Sequence, residues 1–298
     1  MLLIALLASS WADAQDHDFT IGVDVRRVPL YISVVDRDQH IVSGLTRESF
    51  QVFENDQPQE IKEFAQEDVP VSIGILIDNS GSMRDKRVRV NAAALEFVKA
   101  SNPNDEVFIV NFNDEAYLDC PFTSNPERLQ DALQRIDSRS GTALYDAIDM
   151  SLEYMGDKAK LEKRVLLVVS DGEDNASRDT MTLERLVRRL QGQEGVMVYA
   201  VGLLGGEQKR AANRAERALN YITRATGGAA HFPEAVDGID TLVRQIAQDI
   251  RNQYVLTYRP PEGSPAGFRR IKVDLVGKAK RNTVRHRPGY FADDEARN

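Results

Sequence analysis

The chain has 298 residues, 42% of them hydrophobic and 28% charged, and its length allows one large domain or two ordinary ones. Asp and Glu number 46 against 38 Lys and Arg, a net charge of −8, so the basic field of a general nucleic-acid binder is missing. The single cysteine, Cys120, excludes an internal disulfide framework and a cysteine-based zinc cluster, and reads as a small buried or half-buried apolar residue.

Leu2–Ala8 is an apolar run followed by Ala12-Asp13-Ala14-Gln15. An apolar core ahead of Ala-x-Ala marks residues 1–14 as a secretory signal cleaved after Ala14, although a basic n-region is lacking. The run is too short to span a bilayer, and no other long apolar run follows, so no membrane span is expected in the mature chain. Residues 15–27 are polar and read as a linker.

From Val28 to Gln66 the pattern is that of strands. Val28, Leu30, Ile32 and Val34 alternate with Pro29, Tyr31, Ser33 and Val35, which predicts a half-buried strand. Asp36-Arg37-Asp38-Gln39 is a turn; it lacks the Gly and distal Glu of a calcium loop. Phe50, Val52 and then Ile61, Phe64 predict two more short strands. At Val71 the pattern changes to strands alternating with helices, the mark of βαβ units and a parallel sheet. Val71–Ile77 (VSIGILI) predicts a strand buried on both faces. Val88, Ala92, Leu95 and Val98 then predict an amphipathic helix, and Val107–Phe112 a strand. Ala116–Asp119 reads as an edge strand. Leu129, Leu133 and Ile136 predict a helix, as does Ala143–Met155. Arg164–Ser170 (RVLLVVS) is a second fully buried strand. A helix over Leu183–Leu190, a strand over Val196–Val201 and a helix over Asn213–Arg224 follow, the last ended by Gly227-Gly228. Val236, Ile239, Val243, Ile246 and Ile250 form the stripe of a last helix. After Arg251 strands return at Tyr254–Tyr258, Ile271–Val276 and Thr283–His286.

The β-rich flanks, residues 28–69 and 251–290, are each too small for a core of their own. The expected architecture is therefore a doubly wound, mostly parallel α/β sheet over residues 70–250, inserted in a small all-β sandwich that both flanks build. Residues 291–298 are read as a tail.

Three loops of the middle region carry the chemistry. Asp78, Ser80 and Ser82 follow the Val71–Ile77 strand at alternate positions. Thr142, in Ser140-Gly141-Thr142, stands at a helix start. Asp171, in Asp171-Gly172, ends the Arg164–Ser170 strand. In a doubly wound sheet the carboxyl ends of neighbouring central strands converge on one edge, where ligands bind. Two carboxylates and three hydroxyls gathered there are hard oxygen donors suited to a small divalent cation. The simpler alternatives are that Asp78 and Asp171 end strands, that Ser-Gly-Ser caps the next helix and that Thr142 is an N-cap.

Asp-x-Ser-x-Ser, a later Gly-Thr and a Ser-Asp-Gly after an apolar strand resemble the metal-ion-dependent adhesion site of von Willebrand factor type A domains. The flanking segments GLTRESFQVFENDQPQEI and RNQYVLTYRP, with the terminal RPGYFA, resemble a bacterial, envelope-associated branch of that family. The resemblance implies Mg²⁺, with Mn²⁺ or Ca²⁺ as alternatives, held by Asp78, Ser80, Ser82, Thr142 and Asp171. It further implies an exported, non-enzymatic binding module of the periplasm, envelope or cell exterior, whose protein partner offers an acidic side chain. A scaffold subunit that binds partners away from the metal is the second reading. A hydrolase fits less well: the histidines are His17, His40, His231 and His286, none in a fitting motif, and there is no Gly-x-Ser-x-Gly elbow. A phosphotransferase would need an Asp where Ser80 stands, and no phosphate-binding Gly-rich loop is present. Glu173 and Asp174 read as a solvated loop. Residues 269–287 carry eight basic residues against one acid, Asp274, and read as solvated strand faces and turns, with an anion-binding patch as the sharper alternative.

Overall fold

The computed structural model describes residues 27–66, 68–134, 141–261 and 266–292; the expected signal segment and most of the linker lie outside them, as do Ser140 and Ile136. Strands β1 (Val28–Val35), β2 (Phe50–Glu54), β3 (Gln57–Gln59) and β4 (Ile61–Ala65) come first. The middle runs β5 (Ser72–Asp78), α1 (Arg87–Ala100), β6 (Glu106–Phe112), β7 (Ala116–Thr123), α2 (Pro126–Leu133), α3 (Leu144–Lys158), β8 (Arg164–Ser170), α4 (Leu183–Gly192), β9 (Val196–Gly202), α5 (Lys209–Thr226), β10 (Ala230–His231) and α6 (Ile239–Arg251). Strands β11 (Tyr254–Tyr258), β12 (Gly267–Leu275), β13 (Thr283–Arg285) and β14 (Gly289–Ala292) close the chain. No helix among the described residues is long and apolar enough to cross a membrane.

The central sheet has the order β10-β9-β8-β5-β6-β7, parallel except for the antiparallel edge strand β7. Every residue of β5 is buried, because helices cover both faces. Ile73, Ile75 and Ile77 point into a core with α1, α2 and α6; Leu76 points into the other, with α3, α4 and α5. The continuous apolar run is the signature of that double cover. Helix α5 ends on Gly227, whose φ of +85° is the left-handed C-cap that glycine adopts without strain.

The flanks interleave. One sheet has the order β13-β1-β11-β4 and the other β14-β12-β2-β3, so each mixes N- and C-terminal strands. Their facing residues, among them Leu30, Ile32, Phe50, Val52, Tyr254, Leu256, Val273 and Tyr290, form one buried core. The short β3 and β14 carry too little apolar alternation to stand out in the sequence. Strand β14 ends at Ala292, so the expected tail, 291–298, begins inside the sandwich.

Three expectations need correction. Strand β1 is not half-buried: Tyr31 belongs to the core beneath α1 and α6, and Ser33 is buried beside Gln253 and Tyr199. Its second face is the seam between sandwich and α/β unit. Helix α1 is rotated from the face predicted: Leu95 and Val98 pack against the core, half-buried, but Val88 and Ala92 are exposed. Val88 is 79% exposed, while Val90, Ala93, Ala94 and Phe97 are buried. Apolar residues occur all round this helix, and the inner face opens on Arg87, a charge that hid the true stripe. Arg87 is buried because its guanidinium donates to the Asp78 carbonyl at 3.2 Å and to Asn111 Oδ1 at 2.7 Å.

The basic stretch 269–287 is solvated at Arg270, Lys272, Lys278, Lys280 and Arg281, as expected, but Arg269, Arg285 and Arg287 are buried or half-buried against partners elsewhere in the fold. Arg269 is buried against Glu54 at 3.4 Å, Arg270 pairs with Asp56 and Lys272 with Asp274. Arg285 reaches Asp249 on α6. Arg287 donates to the carbonyls of Gln191, Gln193 and Gly289, tying the end of α4 to the sandwich. Lys278, Lys280 and Arg281 stand exposed on the turn between β12 and β13. The Asp36 turn is as expected: its carboxylate accepts the backbone N–H groups of Asp38 and His40, both at 2.9 Å.

Candidate metal site

Strand β5 delivers Asp78 to the carboxyl edge of the sheet, next to the end of β8. The Asp78 carboxylate is wholly buried. One oxygen accepts the Ser80 N–H at 2.8 Å, which folds the chain back at the strand end; the other accepts the Ser170 hydroxyl at 2.6 Å. Burial pushes this carboxyl up to about 6, with the Asp171 charge acting the same way and the bonds from Ser170 and Ser80 opposing it. The chain then passes through a 3-10 turn, Gly81–Met83, before α1.

The serines do not cap that helix. Neither Ser80 at the 3-10 turn nor Lys86 at the start of α1 makes a side-chain capping bond. Instead the Ser80 and Ser82 hydroxyls lie 3.1 Å apart, and Ser82 donates to Asp171 Oδ1 at 2.8 Å. A continuous line of oxygens thus joins two loops 89 residues apart in sequence. Ser80 and Asp171 are buried and Ser82 is exposed, so the line opens to solvent at its middle member.

Thr142 arrives from a third loop. Its neighbour Ala143 donates to the Asn113 carbonyl at the end of β6, and Gly141 donates to Asp114. Thr142 donates its N–H to Asn175 Oδ1 at 2.9 Å, and its carbonyl accepts the N–H groups of Asn175 and Ala176. Its hydroxyl does not cap α3, whose N-cap, Ala143, makes no side-chain bond. The cap comes from the β8–α4 loop: Asp174 accepts the Tyr145 N–H at 3.1 Å and Ser177 the Asp146 N–H at 3.0 Å. Asp174 and Ser177 therefore fasten the Thr142 loop to the Asp171 loop and are not a freely solvated stretch. Glu173 pairs with Arg214 on α5. A Cβ built on Gly172 would stand 3.6 Å from the Thr142 hydroxyl, which places Thr142 beside the residue after Asp171.

Sequence reasoning missed two site residues. Ser170, read as the end of a strand, holds Asp78. Lys86 points its ammonium at Asp171 Oδ2, 2.5 Å away, and at the Leu203 carbonyl, 3.3 Å away. Lys86 lies in the turn between the 3-10 turn and α1, so no helical spacing in the sequence announced it.

Residues 73–173 match the von Willebrand factor type A domain. The matched stretch contains all five expected ligands, and the α/β unit has that domain's fold. No curated protein matches the chain. Among solved structures, the von Willebrand factor type A protein from Catenulispora acidiphila is 12% identical with a TM-score of 0.53, covering 92% of this chain and 76% of its own. Proximal thread matrix protein 1 from the mussel byssus, in a form whose metal-ion-dependent adhesion site holds zinc, is 14% identical with a TM-score of 0.54, over 66% of this chain and 50% of its own. The PilB minor pilin from Streptococcus sanguinis is 12% identical with a TM-score of 0.50, covering 63% of each chain. Identities of this size speak for the fold alone.

The residues fit a small, hard cation. All five side chains offer oxygen, and two of them bring negative charge. Oxygens at right angles around Mg²⁺, bound at 2.0–2.1 Å, stand about 2.9 Å apart. The Ser80–Ser82 and Ser82–Asp171 separations, 3.1 and 2.8 Å, lie on either side of that value. The hydroxyl protons now occupy those lines, and they would turn outward on binding.

Proposed function

We propose that this protein is an exported, non-enzymatic binding protein that uses a divalent cation, Mg²⁺ or Mn²⁺, to hold an acidic side chain of a protein partner. The observation that carries the reading is the line of oxygens from Ser80 through Ser82 to Asp171, built from two loops and spaced like two adjoining edges of an octahedral shell. When bound, the cation would supply a Lewis-acidic position open to an incoming carboxylate.

The chain's own residues explain why the position would stay open. Ser80, Ser82 and Thr142 offer neutral oxygens, so only Asp78 and Asp171 bring charge, enough to balance a divalent ion without saturating it. Asp78 is held from behind by Ser170, which fixes its direction. Exposure at Ser82 leaves the approach on the outer side. A hydrolase is less well supported, because the His286 ring is already committed to Val273 and Arg287 in the sandwich. Export and association with a cell envelope rest on the Leu2–Ala14 sequence and on the flanking segments.

The test is capture from envelope extract by the immobilised full chain, in Mg²⁺ and again in chelator. Partner retained only in Mg²⁺, and lost in Asp171→Asn, is the expected result. Equal retention in chelator overturns the cation-bridged reading and favours a scaffold that binds elsewhere.

A further inference from the structure

Lys86 lies beside the five oxygens without belonging to them, and its placement bears on how tightly a cation is held. Its side chain is 19% exposed, and its ammonium contacts the wholly buried Asp171 carboxylate at 2.5 Å. Asp171 therefore spends one oxygen on Ser82 and the other on a positive charge. Lys86 makes no capping bond at the start of α1 that would otherwise explain its position. Beside it runs a groove of about 100 Å³ lined by Leu203, Gly205, Gly206, Glu234 and Val236. The lysine has somewhere to go, and the exposed acid Glu234 is among the residues that line it.

We propose that Lys86 is a built-in counter-ion of the site: its ammonium neutralises Asp171 when no cation is bound and has to swing away, towards Glu234, when one binds. Lys86 thereby sets the metal affinity. This rests on the metal reading above and adds to it a residue outside the expected ligand set. The physical reason is short-range competition. A cation on Asp171 Oδ1 would lie no more than about 7 Å from the ammonium as now placed, counting along the carboxylate. Even with the full dielectric screening of bulk water, a divalent ion and a unit charge at that distance repel enough to weaken binding roughly sevenfold at low ionic strength. In the partly buried site the penalty is larger, and swinging the lysine out relieves it only by breaking the pair with Asp171.

The experiment is a Mn²⁺ titration of the full chain at low salt, read by the loss of the free-ion electron paramagnetic resonance signal. Wild type, Lys86→Met and Lys86→Arg are compared, and the melting temperature is followed with and without Mn²⁺. Lys86→Met is expected to bind Mn²⁺ about sevenfold tighter or more, while melting lower than wild type without metal because Asp171 has lost its partner. Lys86→Arg keeps the charge and is expected to stay near wild type. Wild type and Lys86→Met binding Mn²⁺ within about twofold of each other would overturn the role of Lys86 and leave the metal site standing. Binding by neither would overturn the metal reading, and this inference with it. Should Lys86→Met fail to fold, Lys86→Gln, which also removes the charge, decides between the same outcomes.

Discussion

Replacing Gly74 by alanine tests the packing that delivers Asp78 to its edge. Gly74 sits in the middle of β5, directly between Leu166 on β8 and Phe108 on β6. A Cβ there would stand 2.3 and 2.6 Å from two ring carbons of Phe108 and 2.7 Å from Leu166 Cδ2, where carbon atoms prefer about 3.5–4.0 Å. The ring cannot easily yield, because Phe122 and Tyr154 hold it at centroid distances of 4.9 and 5.0 Å. Overpacking of a well-filled core costs about 1–3 kcal/mol, and the boxed ring puts this site at the upper end. Losing glycine's freedom in the unfolded chain returns about 0.4–1 kcal/mol. The net expectation is a loss of about 2 kcal/mol, read by urea unfolding of the full chain. Gly156, exposed on α3 with nothing within 4 Å of its would-be Cβ, is the control. Gly156→Ala should gain about 0.5–1 kcal/mol from helix propensity alone. Combining Gly74→Ala with Phe108→Leu should cost less than the two changes summed, since the smaller side chain admits the methyl group. A Gly74→Ala protein as stable as wild type would refute the reasoning.

The remaining predictions concern the site and the sandwich. Gly141→Ala would put a Cβ 2.3 Å from Asp114 Oδ1 and 2.8 Å from the Ala176 Cβ, so it should shift the Thr142 loop and weaken Mn²⁺ binding while thermal unfolding stays cooperative; unchanged binding would argue that Thr142 is not a ligand. His286 accepts the Val273 N–H on Nε2 at 3.3 Å and has Nδ1 2.7 Å from the Arg287 carbonyl, a neutral ring whose pKa burial lowers from the ordinary value near 6.5. In that window the folded protein binds fewer protons than the unfolded one. The contribution is therefore complete above pH 6.5 and is lost as pH falls below it, at up to about 1.4 kcal/mol per pH unit. Denaturant unfolding from pH 7.5 to 5 should show a steeper loss in wild type than in His286→Gln, and parallel curves would contradict the assignment.

The parts of this fold that were legible in the sequence are those where one physical demand decides the residue types. Val71–Ile77 and Arg164–Ser170 are apolar on both faces because helices cover both, and the strands appear where the runs predict them. The interleaved sandwich followed from size: neither flank could build a core alone. The line from Ser80 to Asp171 was legible because strand ends in a doubly wound sheet converge. What stayed hidden was long-range compensation of charge. Arg87 and Arg269 look like surface residues until their partners, Asp78 and Asn111 for one and Glu54 for the other, come from elsewhere in the chain. The same holds for the cap of α3, which Asp174 and Ser177 supply across some thirty residues. Lys86 was overlooked because a pattern of oxygen donors says nothing about a cation of the protein's own standing among them.

The most direct measurement is a Mn²⁺ titration of the purified full chain, with Mg²⁺ competition, on wild type and Asp78→Ala. Saturable binding of one Mn²⁺ in wild type, displaced by Mg²⁺ and abolished in a folded Asp78→Ala, is the predicted result. Absence of saturable binding in wild type, or equal binding by Asp78→Ala, would contradict the claim that these three loops build a cation site.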